Sequence, residues 1–293
     1  MNPDVLVSVG LPTYNGGAGL EKVVASVLAQ DHANLQLVIC DNASTDETGE
    51  VCRDLAATDG RIVYHRQPAN IGAIGNFVKA LHLAEGPYFR WIGDDDRLEP
   101  HCLSRSLAEF AHDGRLVMVT AQTAYTMDGV TETGAYEGAA LRSDDPAERF
   151  AEMLRLLTES HVLMDPLYGL QLRSVALGIP RPVMVREDEV AAARYALAGP
   201  WGHVPEVLSH RKWSNAGPVA MSSRMALPAW RGWFATLLQA RALLAVVDEA
   251  GLGPDQRRRA RAAVARLYVS RQRRLAARGA RKLGRLIRNA RNR

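Results

Sequence analysis

"YFRWIGDDDRLEP", residues 88–100, decides the reading of the fold: a run of aromatic and apolar side chains, in the manner of a buried strand, stops at a glycine and delivers three consecutive aspartates. Adjacent carboxylates repel one another. Asp94, Asp95 and Asp96 are therefore easiest to explain where a cation or a ring of hydrogen-bond donors compensates them. The rest of the sequence must say which.

Upstream of this stretch, apolar strand-like runs alternate with helical patterns. "VLVSVGLP" (5–12) precedes a helical stretch over 19–29, and "LQLVIC" (35–40) precedes "DNASTDETGEVCRDLAA" (41–57). There Ser44 and Glu47 have capping-box spacing, which predicts a helix from about Thr45. "RIVYH" (61–65) leads into "NIGAIGNFVKALHLA" (70–84), and the strand at 87–92 ends at the aspartates. Four such alternations in about 110 residues predict an α/β fold with right-handed crossovers, a parallel, doubly wound sheet and helices on both faces. Ligands of such sheets bind beyond the carboxyl ends of the strands, which sets Pro12 to Asn15, Asp41 and Asp94 to Asp96 along one edge. Downstream the rhythm changes. "RLVMVTAQTAYTMDGVTETGAY" (115–136) reads as a strand and hairpin about an Asp128-Gly129 turn, "DPAERFAEMLRLLTES" (145–160) as a helix, and "DPLYGLQL" (165–172) as a strand. A helix led by acids follows in "VREDEVAAARYALAGP" (185–200), stopped by Gly199-Pro200. "HVPEVLSHRKW" (203–213) is extended, and the chain is helical from about Ala226 onward.

With 293 residues, 47% apolar and 23% charged, the chain suits one large globular domain or a domain with an appendage. It begins without a basic leader, and Val5 to Leu11 is too short for a signal core or a membrane span. Cys40, Cys52 and Cys102 show no CxxC spacing, so neither a disulfide framework nor a zinc knuckle is expected and the cytosol is the default compartment. Residues 255–293 carry 14 Arg and one Lys against one Asp, a net charge of +14, which leaves −10 for the remainder. An acidic body thus carries a basic tail, and the two parts meet different partners.

The segments "VGLPTYNG", "VICDNASTDET", "NIGAIGNF", "GDDDRLEP", the "ED" of "REDEVAAARYALAG" and "VPEVLSHRKW" together resemble the family 2 glycosyltransferases of the GT-A fold, which are inverting enzymes that use nucleotide sugars. The pieces stand in family order over roughly residues 4–215, and the tail lies outside them. The resemblance implies a GT-A domain over 1–225, with a mixed sheet, and a helical extension over 226–293. It implies transfer of a sugar from a nucleotide diphosphate to a hydroxyl of a saccharide, lipid-linked or small-molecule acceptor. UDP or dTDP donors suit a site built around Asp41, and GDP is not excluded. The departing diphosphate calls for a divalent cation, Mg2+ or Mn2+. By resemblance Asp94 sits near the donor ribose, Asp96 binds the metal and Asp95 fills in for either. Pro12, Thr13, Tyr14, Asn15 and Asp41 face the nucleotide, while Asn70 and Gly72 form a loop that lets backbone approach the base. Ile74 departs from the pattern, since many relatives carry Arg there. The family's general base corresponds to Asp188; on the residues alone, Glu187, Asp188 and Glu189 would merely complement a helix dipole. Asp41 read alone is equally an ordinary turn former with Asn42.

Relatives often place Arg-x-His after "VPEVL", where this chain has Arg211-Lys212-Trp213. Arg211 is the expected diphosphate contact, His210 either stands in for the missing His or is structural, as is usual for a lone His, and Trp213 offers a flat face to an acceptor. A dinucleotide-binding dehydrogenase is disfavoured because "YNGGAGLEK" does not give GxGxxG. No nucleic acid partner is expected, because the acidic body repels phosphates. A helix over 264–290 would put Val264, Leu267, Tyr268, Leu275, Leu283, Leu286 and Ile287 on one face, with Arg271 and Lys282 intruding. That face either packs on the body or holds a peripheral enzyme at the anionic inner face of a membrane.

Overall fold

The computed structural model describes residues 4–159, 163–213 and 217–291, with side chains to residue 277. Four parallel strands build the amino-terminal half of the sheet: β1 (Val7–Thr13) lies between β2 (Leu35–Asp41) and β4 (Tyr88–Trp91), and β3 (Ile62–Arg66) lies outside β2. Strands β1 and β2 are buried along their whole length, as continuous apolar runs covered on both faces should be. The covering helices are α1 (Leu20–Leu28), α2 (Thr48–Thr58), α3 (Ala73–Leu83) and α4 (Cys102–His112).

Beyond β4 the sheet becomes mixed. The two-residue β5 (Arg97–Leu98), β6 (Met118–Met127), β7 (Val130–Thr133), β8 (Leu170–Leu172) and β9 (Trp201–Lys212) complete nine strands in the order β3-β2-β1-β4-β8-β6-β9-β5, with β7 on β6. β8 runs antiparallel to both β4 and β6, while β6 and β9 pair in parallel, so the first four strands are parallel as their alternation predicts and the whole sheet is mixed. The β6–β7 hairpin turns where expected. Asp128 and Gly129 both take positive φ, 51° and 80°, the backbone that a tight hairpin turn requires. Of the strand expected over 165–172, only three residues pair.

The helix expected from Thr45 begins three residues later. Ser44 does not cap Glu47: its hydroxyl instead accepts the Asn15 N–H at 3.0 Å, tying the loop after β1 to the loop after β2. A tertiary hydrogen bond has taken the side chain on which the local capping pattern depended.

The carboxyl-terminal helices are part of the body. α5 (Pro146–Glu159), α6 (Arg173–Leu177), α7 (Glu187–Ala198), α8 (Pro218–Arg224), α9 (Ala229–Trp233), α10 (Ala235–Glu249) and the long α11 (Pro254–Arg291) follow β7 in the chain, interleaved with β8 and β9. One apolar cluster joins Phe150 and Leu154 of α5, Val190 and Ala193 of α7, Leu243 and Val247 of α10, and Val264 and Leu267 of α11. The first two positions of the expected tail stripe are therefore spent on packing. Leu275 is exposed, and the side chains of Lys282, Leu283, Leu286 and Ile287 lie outside the described residues. No helix among the described residues is long and apolar enough to cross a membrane. Leu267→Ala is expected to cost about 2–5 kcal/mol through the cavity it leaves, and Leu275→Ala less than about 0.5 kcal/mol, as read by urea unfolding.

Candidate active site

The carboxyl ends of β1, β2 and β4 share one edge. Pairing of β1 with β4 ends where Ile92 N–H donates to Gly10 C=O at 2.9 Å, while β1 continues beside β2 as far as Thr13–Asp41. Pro12, two residues beyond Gly10, points its missing N–H to the side that β4 has left, so no ladder bond is lost. The notch so formed receives the acidic turn.

The three aspartates are sorted by direction: Asp94 is half-buried, Asp95 exposed and Asp96 buried. Asp94 Oδ2 accepts the Thr13 hydroxyl at 2.9 Å. Asp96 folds back on its own turn. Its Oδ2 accepts Gly93 N–H at 3.0 Å and Arg211 Nε at 3.0 Å, and a Cβ at residue 93 would stand 2.7 Å from that oxygen, so any larger residue there would displace the carboxylate. Burial raises the pKa of both carboxyls. The Arg211 charge opposes this at Asp96 and the Thr13 hydroxyl opposes it at Asp94, while the neighbouring aspartates add to it. Donors thus supply part of the compensation that the sequence demands. Asp96 Oδ1 is buried without a hydrogen-bond partner among the described residues. No group of three His, Cys, Asp or Glu among the described residues is arranged to hold a metal ion. The residues fit a hard cation of the kind that takes one or two carboxylates and completes its shell with phosphate and water.

Arg211 also pairs with Asp165, and its guanidinium lies 3.6 Å over the Tyr168 ring. The Tyr125 hydroxyl donates to Asp165 Oδ2 at 3.2 Å, and Trp213 meets Tyr125 edge-on at 6.0 Å. Tyr168 is the hub of the site. Burial raises its pKa well above the ordinary phenol value, and the charges of Asp96, Asp94 and Asp188 raise it further against Arg181. One hydroxyl therefore feels the acidic turn and the head of α7 together.

At that head, Glu187 and Glu189 are neutralised and Asp188 is not. Arg181 grips Glu187 with two bonds of 2.6 Å and lies 5.2 Å over the Trp91 ring. Glu189 pairs with Arg186 at 2.9 Å and with Arg271 of α11 at 2.5 Å, and it accepts Gln239 Nε2 at 2.6 Å. Arg271, the apparent intruder on the tail's apolar face, is a buried ion-pair partner. Asp188 enters none of the ion pairs of the described residues. The residue as a whole is exposed, but burial of its carboxyl raises the pKa to about 6, with Glu189 and Glu187 adding repulsion. Ion pairing accounts for its two neighbours, whereas Asp188 keeps a carboxyl whose raised pKa brings its titration toward neutrality.

The nucleotide side is organised but partly closed. Asp41 has no exposed surface: Oδ1 accepts Ser44 N–H at 2.8 Å, and Oδ2 accepts the Tyr64 hydroxyl at 2.9 Å and Arg66 Nη1 at 3.4 Å. A ligand reaches it only if Arg66 or the 42–46 loop shifts. Pro12 and Thr13 are buried, whereas Tyr14 is exposed and free to stack. Asn15, in the left-handed region, accepts Thr45 N–H at 2.8 Å. Asn70 accepts from Asn42 at 2.9 Å and from Gly72 N–H at 2.8 Å, and Gly72 at φ 79° meets nothing within 4 Å, so the glycine serves backbone conformation there. Both histidines are held away from the acidic turn's free oxygen. His210 pairs with Glu99 at 2.7 Å, and burial lowers the pKa of His203 to about 4 beside the Thr120 hydroxyl.

Asp165, Tyr168, Arg181 and Arg271 were not legible as site residues. Asp165 and Tyr168 stood inside a segment read only as a strand, and Arg271 was visible only as a charge on an apolar stripe.

Raised folded-state pKa means that the fold favours protonated Asp188. Above pH of about 6 the folded chain carries the charge at a cost the unfolded chain does not bear, and below about 4 both states hold it neutral. Asp188→Asn should therefore melt higher than the native chain at about pH 8 and at the same temperature at about pH 4, as thermal scans across pH will show.

Comparison with known proteins supplies the context. The family model described as "Glycosyl transferase family 2" matches residues 8–170. Among curated relatives, the GalNAc(5)-diNAcBac-PP-undecaprenol beta-1,3-glucosyltransferase of Campylobacter jejuni is 35% identical over 37% of this chain and 35% of its own length. Abequosyltransferase RfbV of Salmonella typhimurium is 38% identical over 34% of this chain and 31% of its own. The first relatives are matched over about half of their length or less. Among solved structures, Staphylococcus aureus TarS 1-349 in complex with UDP aligns with TM-score 0.65 over 88% of this chain and 70% of its own, at 14% identity. The mannosyltransferase PcManGT of Pyrobaculum calidifontis, in complex with GDP-Man and Mn2+, aligns with TM-score 0.53 over 92% and 86%, at 18% identity. The curled mixed sheet with its flanking helices is the GT-A arrangement these structures share.

Proposed function

The chain belongs to glycosyl transferase family 2, whose model covers more than half of it, and from that premise we propose that it transfers a sugar from a nucleotide diphosphate, UDP or dTDP favoured, to a hydroxyl of a polysaccharide or glycolipid acceptor with inversion. The observation that carries this reading is the acidic turn at the carboxyl edge of the sheet, where Asp96 accepts Arg211 on one oxygen and keeps the other without a partner among the described residues.

Tyr14 stacks on the base, and Asp94, fixed by Thr13, receives a ribose hydroxyl. Asp96, with Asp95 beside it, would hold a divalent cation, which would supply the positive charge that the leaving diphosphate needs. Arg211 supplies a second positive charge at the same place, already oriented by Asp165 and by the Tyr168 ring. Asp188 accepts the proton of the acceptor hydroxyl as its oxygen bonds to the anomeric carbon. The bond from that carbon to the diphosphate oxygen breaks in the same step, and the nucleotide leaves with the electron pair. Attack from the face opposite the leaving group inverts the centre. The relative from Campylobacter, named for an undecaprenol-linked substrate, supports a lipid-linked acceptor.

Asp188→Asn should lower kcat by about 10²-fold or more while leaving nucleotide affinity near native, because a base matters in the transition state. Asp96→Ala should abolish turnover, and exhaustive EDTA treatment should do the same in the native chain until Mg2+ or Mn2+ is restored. Undiminished turnover in EDTA removes the metal from the account; a normal kcat in Asp188→Asn returns that residue to the helix cap.

A further inference from the structure

The outer face of α9 and α10 has no use inside the fold. Phe234 N–H donates to Trp230 C=O at 3.0 Å and Leu238 N–H to Phe234 C=O at 2.9 Å, so helix-type hydrogen bonds tie Phe234, the residue between the two helices, to both of them. Helical spacing then puts Trp230, Trp233, Phe234, Leu237 and Leu244 on one face, with Arg241 among them. All five apolar side chains are exposed, Trp233 at 69% and Phe234 at 52%. A folded chain ordinarily hides two tryptophans and a phenylalanine. A contiguous exposed patch of this kind marks an interaction surface.

Charge identifies the occupant. From Val207 to Val247 the sequence has no Asp or Glu, against four Arg and one Lys, although residues 1–254 as a whole carry a net charge of −10. Arg224 and Arg241 are exposed, and Arg231 lies 5.6 Å over the Trp230 ring. Exposed Trp and Phe with Arg at their margin suit the boundary between headgroups and acyl chains of an anionic bilayer, where aromatic rings sit and cations meet lipid charge. The carboxylate one turn beyond Leu244, Asp248, is paired with Arg261 at 2.6 Å. The expected tail stripe cannot supply this surface at Val264 and Leu267, which are buried in the body.

The patch adjoins the candidate base. Trp230, Arg231 and Ala235 line an apolar depression of about 210 Å3 with Met184 and Val185, the residues that lead into α7, and Gln239 of α10 bonds Glu189 beside Asp188. We infer that the Trp230–Leu244 face is an interfacial docking surface for anionic lipid bilayer, set so that a lipid-anchored acceptor presents its hydroxyl to Asp188. The acceptor part of this inference rests on the transferase reading above; the docking part does not.

The test is co-sedimentation of the full chain with vesicles of phosphatidylglycerol and phosphatidylcholine, or of phosphatidylcholine alone, with brominated acyl chains as a tryptophan quencher. The native chain should pellet with the anionic vesicles and be quenched by them, and the double variant Trp233→Ser with Phe234→Ser should bind at least tenfold more weakly with every tail arginine still in place. Turnover on a soluble acceptor should be the same in both proteins; if neither turns over, the transferase reading has failed while the docking result stands. Equal pelleting of native and variant chains, equal binding to neutral vesicles, or no vesicle binding at all overturns the inference. So does a native dimer, by light scattering, that the double variant dissolves, since a second copy would then own the patch. Quenching in the native chain keeps the test decisive if the variant fails to fold.

Discussion

Charge compensation at the carboxyl edge of the sheet is the constraint on which the rest of the structure depends. Three aspartates follow β4 and three more acids open α7, and their mutual repulsion has to be met locally. Arg211 meets Asp96, Arg181 meets Glu187, and Arg186 with Arg271 meets Glu189. Among the described residues, Asp94 and Asp95 of the acidic turn and Asp188 of α7 enter no ion pair, and Asp96 keeps a buried Oδ1 without a hydrogen-bond partner. The acidic turn and Asp188 are the positions where the proposed chemistry needs a cation and a proton.

The same constraint explains why the carboxyl-terminal helices are bound so firmly to the catalytic sheet. Arg271 reaches from α11 to Glu189 and Gln239 and also donates to Leu157 C=O at 3.1 Å, while the apolar cluster of α5, α7, α10 and α11 fixes its approach. An unpaired carboxylate beside Asp188 would raise that group's pKa further, so the tail helix takes part in setting the protonation of the candidate base although it lies outside the segment matched by the family model.

What was legible in the sequence follows from the range of the interactions concerned. The first four strands and their helices were readable because buried parallel strands and amphipathic helices write their environment into local periodicity. The Asp128-Gly129 hairpin was readable because its backbone demands particular residues. Ser44 and Glu47 pointed to a helix start that did not form, since Ser44 is claimed by Asn15 across the loop. Arg271 looked like a defect in an apolar stripe because its partner Glu189 lies 82 residues away, and Asp165 and Tyr168 gain their roles only by meeting Arg211. Asp41 was read as a nucleotide contact or a turn former, and the bonds it makes in the structure organise its loop.

The central claim, that Asp188 is the proton acceptor of a site it shares with the acidic turn, is tested most directly by the pH dependence of kcat/KM at saturating divalent cation. The account predicts a rise of about tenfold per pH unit that levels off near the Asp188 pKa of about 6. In Asp188→Asn that acidic limb should vanish and leave only the small residual rate. An unaltered limb in the variant, or a native profile flat across that range, would contradict the account.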